Sequence, residues 1–149
     1  MYTIRLAKPE EHEAVAAVVD AAYSKWIPVI GRKPRPMIAD YQKLVADGVV
    51  YVIAPEYDII AVLVIWPVED ALWIENICVH PGQQRGGLGR ALMDFAEARA
   101  SEAGLNLMRL LTNAKFEVNI AYYHKLGYVE TRREPMDDGG QVVYMHKQL

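Results

Sequence analysis

The sequence predicts an α/β (α+β) fold: one mixed, mostly antiparallel sheet of about seven strands with about four helices packed against it. Three observations predict it. Hydrophobic residues make up 52% of the 149 and charged residues 23%, which is enough apolar chain for one sizeable core. Strand-like and helix-like patterns follow one another in the order β-α-α-β-β-β-α-β-α-β-β. The connections among the middle strands are too short for crossovers, so those strands form an antiparallel meander. No linker or internal repeat divides the chain, and residues 1–149 are expected to form a single domain.

Each element has its own signal. In residues 2–6, Tyr2, Ile4 and Leu6 alternate with Thr3 and Arg5, as in a short strand. Pro9-Glu10-Glu11 opens a helix, with proline in the first turn and acids at the positive end of the dipole. Ala14, Val15, Val18, Val19 and Ala22 continue it as an apolar stripe. Residues 24–37, SKWIPVIGRKPRPM, hold three prolines and one glycine and read as an irregular loop. That loop also carries Trp26, Ile27, Val29 and Ile30, and long loops with large side chains are often functional. Ile38 to Ala46 reads as a second helix, ended near Gly48.

From Val49 the pattern becomes β. Residues 49–54, 59–66 and 71–79 are rich in Val, Ile, Tyr and Trp, and turn clusters separate them. Leu88, Ala91, Leu92, Phe95, Ala96 and Arg99 then recur at helical spacing, with Gly104 at the position that ends a helix. Residues 105–111 read as a strand and 117–126 as a helix ending at Gly127. A closing hairpin, about 128–134 and 141–147, turns through Asp137-Asp138-Gly139-Gly140.

Composition excludes several functions. Sixteen Lys and Arg against nineteen Asp and Glu give a net charge of −3. Binding along a phosphate backbone needs a basic excess, so no nucleic-acid partner is expected. The single cysteine, Cys78, rules out an internal disulfide and a multi-thiolate metal site. His80 and His124 have no partner at ligand spacing, so no metal is expected and both read as surface or capping residues. No apolar run approaches the roughly 20 residues that span a bilayer. The first residues, MYTIRLAKPEEHEAV, lack the apolar core of a signal peptide. The expectation is a soluble, cytoplasmic domain without a membrane partner.

The most informative segment runs from Val79 to Leu92. A strand ends, a turn containing Gly86, Gly87 and Gly89 follows, and an amphipathic helix begins. The first N–H groups of a helix lack intrahelical acceptors, and the dipole makes that end positive. Glycines remove the Cβ atoms that would keep an anion from those amides. Arg85 and Arg90 add charge at the rim. The combination predicts a phosphate or pyrophosphate site. It is not a P-loop, which requires a lysine and a hydroxyl that are missing here. Nor is it a dinucleotide fingerprint, because Leu92 stands at the third glycine position and the preceding strands form a meander.

What the segment does contain is Gln84-x-x-Gly87-x-Gly89. This resembles the Q/R-x-x-G-x-G/A signature of the Gcn5-related N-acetyltransferase (GNAT) family, in which the turn holds the pyrophosphate of coenzyme A. The strand Leu72-Trp73-Ile74-Glu75-Asn76-Ile77-Cys78-Val79 is similar to that family's fourth strand. Asn119-Ile120-Ala121-Tyr122-Tyr123-His124-Lys125-Leu126-Gly127-Tyr128 is similar to its segment ending [FY]-x-K-x-G-[FY], with Tyr123 at the aromatic position. The resemblance is specific over residues 72–128. It implies that strands 4 and 5 splay apart at a β-bulge, and that exposed backbone N–H groups of Ile77, Cys78 and Val79 hold the pantetheine and the thioester carbonyl. It further implies cofactor contacts from Gln84, Arg85, Gly86, Gly87, Leu88, Gly89, Arg90 and Asn119, with acetyl-CoA as cosubstrate. Dimers are frequent in the family, which leaves a homodimer open.

Acetyl transfer to an amine requires a held thioester, removal of a proton from the amine and return of one to the leaving thiolate. Glu75, two residues before the implied carbonyl-binding amides, is the candidate base. Burial among Trp73, Ile74 and Ile77 would raise its pKa, while the competing reading is a strand carboxylate that faces solvent or pairs with an arginine. Tyr123 is the candidate acid for the thiolate, against simple core packing, and Tyr122 is the fallback. Asn119 could equally be a helix N-cap. Cys78 reads as inert core, since the family transfers directly without an acyl-enzyme. Tyr23, Trp26, Arg32 and Tyr41 are the candidate acceptor residues, and Arg32, Lys33 and Arg35 form a basic cluster suited to a carboxylate or phosphate. The function expected is transfer of acetyl to a primary amine of a small molecule or peptide. The alternative is a non-catalytic acyl-CoA-binding sensor or interaction module on the same fold.

Overall fold

In the computed structural model, which describes residues 2–84 and 86–149, seven strands form one sheet in the order β1-β2-β3-β4-β5-β7-β6. The strands are β1 (Ile4–Leu6), β2 (Val50–Ile53), β3 (Ala61–Val68), β4 (Ala71–Val79), β5 (Leu107–Asn113), β6 (Val129–Pro135) and β7 (Gln141–Gln148). Every neighbouring pair is antiparallel except β4 and β5, which run parallel. Helices α1 (His12–Tyr23), α3 (Tyr41–Ala46), α4 (Leu88–Glu102) and α5 (Glu117–Lys125) exceed one turn, and α2 (Ile27–Ile30) is a single turn. The mixed sheet and its four longer helices match the sequence expectation.

The helices cover both faces of the sheet. In α1, Val15, Val18, Val19 and Ala22 are buried, the spacing of a single apolar stripe. They pack with Tyr41 and Val45 of α3 against Val52, Val62, Val64 and Cys78. On the opposite face Leu88, Leu92, Met93 and Ala96 of α4 pack against Leu63, Ile74, Met108 and Leu110. Covered on both sides, Ala61 to Ile65 of β3 are all buried, which explains their continuous apolar run. Helix α4 ends where Gly104 takes φ 76°. The Gly104 N–H donates to Ser101 O and the Leu105 N–H to Ala100 O, the paired bonds that close a helix C-terminus.

The segment expected to be an irregular loop is instead a chain of short helices. Ser24–Trp26 and Arg35–Ile38 are 3-10 turns on either side of α2. Pro28 and Pro36 occupy opening positions of these turns, where the missing N–H has no acceptor to lose. Gly31, at φ 78°, ends α2. The next helix begins at Tyr41 and not at Ile38, because Asp40 caps it by accepting from the Lys43 N–H at 3.1 Å.

Candidate active site

The site is built on an irregularity in β4. Val64 of β3 pairs with Asn76 and Ile65 pairs with Ile74, so Glu75 is an extra residue, a β-bulge. The bulge reverses the alternation of the strand. Before it, Leu72 and Ile74 face the α4 core; after it, Ile77 and Val79 do. Cys78 then belongs to the α1 core. The parallel pairing of β4 with β5 stops at Ile74–Leu110, so the two strands part at the bulge, as expected.

Register determines which backbone groups face the gap. The His80 N–H donates to Ile60 O at 2.8 Å. In the antiparallel ladder this makes Val62–Cys78 a hydrogen-bonded pair and leaves the N–H and C=O of Ile77 and Val79 pointing away from β3. Two contacts agree: Ile77 O accepts from the Tyr23 hydroxyl at 3.2 Å, and Val79 O accepts from Gln84 Nε2 at 3.3 Å. Of the three backbone groups expected to face a ligand, that of Cys78 is therefore directed at β3. Burial pushes the Cys78 thiol up to about 12, so it is protonated and inert near neutral pH.

A cavity of about 400 Å³ occupies the space between the parted strands. Glu75 and Ile77 from β4, Thr112 from β5, and Asn119 and Tyr123 from α5 contribute to its wall. Glu75 Oε2 accepts from Arg35 Nη2 at 2.9 Å, and its Oε1 accepts from Trp73 Nε1 at 3.2 Å. The ion-pair reading of Glu75 thus describes this structure, and the carboxylate nonetheless lies on the cavity wall. Burial drives the Tyr123 phenol well above its ordinary pKa. Asn119 is the third residue of α5, behind Phe116 at the cap position, so it is not an N-cap.

The candidate acceptor residues separate into two groups. Tyr23, Tyr41 and Arg32 line the cavity. Trp26 does not: its ring stacks on Phe116 with centroids 4.2 Å apart, and Phe116 forms the wall in its place. Tyr23 and Tyr41 are joined by a residue that the sequence reading passed over. Asn76, only 4% exposed, accepts from the Tyr23 hydroxyl at 2.8 Å and donates to the Tyr41 oxygen at 3.0 Å. The Tyr41 hydroxyl in turn donates to Pro36 O. An amide beside Glu75 in a strand of otherwise apolar residues was the available signal, because a buried Asn must find partners.

The glycine-rich turn forms a separate surface site outside the cavity lining. Gly87, at φ 74°, caps α4. The first bond within the helix runs from the Ala91 N–H to Gly87 O at 3.1 Å, so the N–H groups of Leu88, Gly89 and Arg90 lie ahead of the ladder. The Leu88 side chain is 2% exposed and anchors this turn in the core, leaving only its backbone available. Arg90 pairs with Asp94 at 3.1 Å, and the Gly86 carbonyl accepts from Tyr2 at 3.3 Å. Arg85 lies outside the described residues. His80 caps the turn before it by accepting from the Gly82 N–H at 3.1 Å. Among the described residues no group of His, Cys, Asp and Glu could hold a metal ion, and no helix is long and apolar enough to cross a membrane.

Comparison with known proteins agrees with this geometry. A search of the curated proteins found no match to the sequence. Solved structures do match. The ribosomal-protein-S18-alanine N-acetyltransferase from Escherichia coli superposes with a TM-score of 0.78 at 22% identity, over 99% of this chain and 94% of that one. PaiA N-acetyltransferase from Thermoplasma acidophilum, solved in complex with coenzyme A, gives 0.80 at 14% identity, over 100% and 99%. YncA, a putative acetyltransferase from Salmonella typhimurium solved with acetyl-CoA, gives 0.74 at 19% identity, over 100% and 94%. At such identities these likenesses show the fold. The sequence itself matches the model of the acetyltransferase (GNAT) domain over residues 46–130, more than half of the chain. With that match and a sheet whose fourth and fifth strands part at a bulge, the protein belongs to the GNAT acetyltransferase family.

Proposed function

We propose that the protein is an N-acetyltransferase that takes acetyl-CoA as cosubstrate and passes the acetyl group directly to a primary amine. The observation that carries this reading is the parting of β4 and β5 beyond Ile74–Leu110, with Glu75 and Tyr123 both on the wall of the resulting cavity. The backbone N–H groups of Leu88, Gly89 and Arg90 would hold the diphosphate. The outward backbone of Ile77 and Val79 would bind the pantetheine arm and the thioester carbonyl, with Asn119 as a further contact. Donors aimed at that carbonyl also stabilise the negative charge that develops on its oxygen.

The thioester supplies an activated acyl group, and the residues of this chain manage two protons. Glu75 would accept the proton of the ammonium group once the bound acceptor has freed one of its oxygens. The C–N bond then forms as the C–S bond breaks, and the newly acylated nitrogen releases its second proton to solvent. Tyr123 would give its phenolic proton to the departing thiolate and regain one from solvent, a role suited to a phenol that burial keeps protonated.

The test is a melting curve with and without acetyl-CoA, followed by thiol release from acetyl-CoA across a panel of amines. A higher melting temperature is expected, because a ligand of the native state stabilises it. No change at saturation removes the reading. Stabilisation without amine-dependent thiol release would instead identify a non-catalytic acyl-CoA-binding module.

A further inference from the structure

The Glu75–Arg35 pair has capacity to spare. Arg35 meets Glu75 through Nη2 alone, and 63% of its side chain is exposed, against 17% for Glu75. A guanidinium carries five donors in a planar fork that fits a carboxylate two at a time. One wall of the cavity therefore presents a receptor for an anion and a receptor for a cation 2.9 Å apart. The surrounding wall is largely aromatic and apolar, with Tyr41, Phe116, Met136 and Tyr144 contributing.

We propose that the acceptor is a free α-amino acid with a large apolar side chain. Arg35 holds its carboxylate, Glu75 faces its ammonium group, and the aromatic wall receives its side chain. The inference rests on the acetyltransferase reading above and names the acceptor class for that same site. In an α-amino acid the nitrogen and the carboxyl carbon are two bonds apart, about 2.5 Å, so one small molecule spans both halves of the pair. Its carboxylate competes with Glu75 for Arg35, and a partly exposed pair offers little resistance to that exchange. The exchange frees a Glu75 oxygen for the amine proton only when a carboxylate-bearing acceptor is present. A peptide N-terminus or a protein lysine lacks the adjoining carboxylate and would leave Arg35 on Glu75.

A second contact favours a small acceptor. Arg32 Nε donates to Asp138 Oδ2 at 2.9 Å, across 106 positions of sequence. This ties the segment after α2 to the turn between β6 and β7. Arg32 Nη2 also lies 3.9 Å from Met136 Sδ, and both Arg32 and Met136 line the cavity. The clasp joins two loops that both contribute to the cavity wall, where a peptide would need an open groove.

The experiment compares phenylalanine, tryptophan and leucine with phenethylamine and with phenylalanyl-alanine amide, reading thiol release from acetyl-CoA. The best of the three amino acids should exceed both carboxylate-free acceptors at least about tenfold in kcat/KM, the worth of one charge-assisted fork. Arg35→Gln should lower kcat/KM for that amino acid about tenfold more than for phenethylamine. Equal or better use of phenethylamine or the peptide amide overturns the inference, as do equal losses in the variant. If none is acetylated, calorimetric titration of the amino acids into the protein saturated with coenzyme A decides, and absence of binding overturns it. Melting with acetyl-CoA separates the two claims. Stabilisation by acetyl-CoA with no amino-acid binding or preference sinks only the acceptor, whereas no stabilisation sinks the acetyltransferase reading and the acceptor with it.

Discussion

The Glu75 carboxylate and the Arg35 guanidinium, forty positions apart in the chain, meet at 2.9 Å on the wall of the cavity between β4 and β5. The bulge puts Glu75 there, and the 3-10 turn opened by Arg35 and Pro36 brings its partner. Glu75→Gln keeps the shape and removes the basicity. Turnover should fall about a hundredfold or more, while stabilisation by acetyl-CoA, which we propose depends on the start of α4, should be nearly unchanged. Parallel losses in both measurements would make Glu75 structural.

Tyr123→Phe removes one hydroxyl and keeps the ring that packs 6.0 Å from Tyr128. Its stability to denaturant should change by less than about 1 kcal/mol. Its kcat should fall about tenfold to a hundredfold. Wild-type turnover would take Tyr123 out of the reaction.

Asn76→Ala breaks the link between Tyr23 and Tyr41 and leaves each hydroxyl with one backbone partner, Ile77 O and Pro36 O. A cost of about 1–3 kcal/mol, two lost hydrogen bonds, is expected in urea unfolding. Since that link also holds Pro36 through Tyr41, acceptor KM should rise more than the affinity for acetyl-CoA falls.

Gly89→Ala and Gly87→Ala should behave differently. Among the described residues a Cβ at Gly89 would touch only the Tyr122 hydroxyl, at 3.5 Å, so alanine is accommodated there and stability should hold or rise by up to about 1 kcal/mol. Weaker acetyl-CoA binding in that variant would then report crowding of the ligand. Gly87 has open space but sits at φ 74°, so alanine should cost about 1–2 kcal/mol even without ligand.

Acid should weaken the N-terminal strand through Glu11. The paired hydrogen bonds from Arg5, at 2.8 and 2.9 Å, hold its pKa down to about 2 from 4.5. A depressed pKa stabilises the fold above the unfolded value and loses that contribution as pH falls through the folded one. The contribution is therefore complete above about pH 5 and fades between about 4.5 and 2. After solvent screening it is on the order of 1 kcal/mol. Glu11→Gln should flatten this part of the stability–pH curve, as measured by denaturant titration at pH 3 and pH 6.

Local patterns made much of this protein readable from its residues. The stripe from Val15 to Ala22, the alternation in the strands and the glycines ahead of α4 each act within one or two turns of chain, and neighbouring residues carry that information. Proline was misleading between residues 24 and 37 for a local reason: it excludes the interior of a helix but suits its first turn, and the segment is a series of first turns.

What only the tertiary structure decided depends on register. One extra residue at Glu75 reverses the facing of every later side chain in β4. Periodicity therefore did not assign Asn76 to the α1 side or turn the Cys78 backbone toward β3. The same holds for Arg35 on Glu75, Trp26 on Phe116 and Arg32 on Asp138. These partners are tens of residues apart and become neighbours only when the sheet closes. The amino-acid sequence thus determined the family, the layers and the glycine-rich turn that opens α4, which rest on short-range spacing. Folding decided which charges meet in the cavity, because that follows from how far each strand slides along the next.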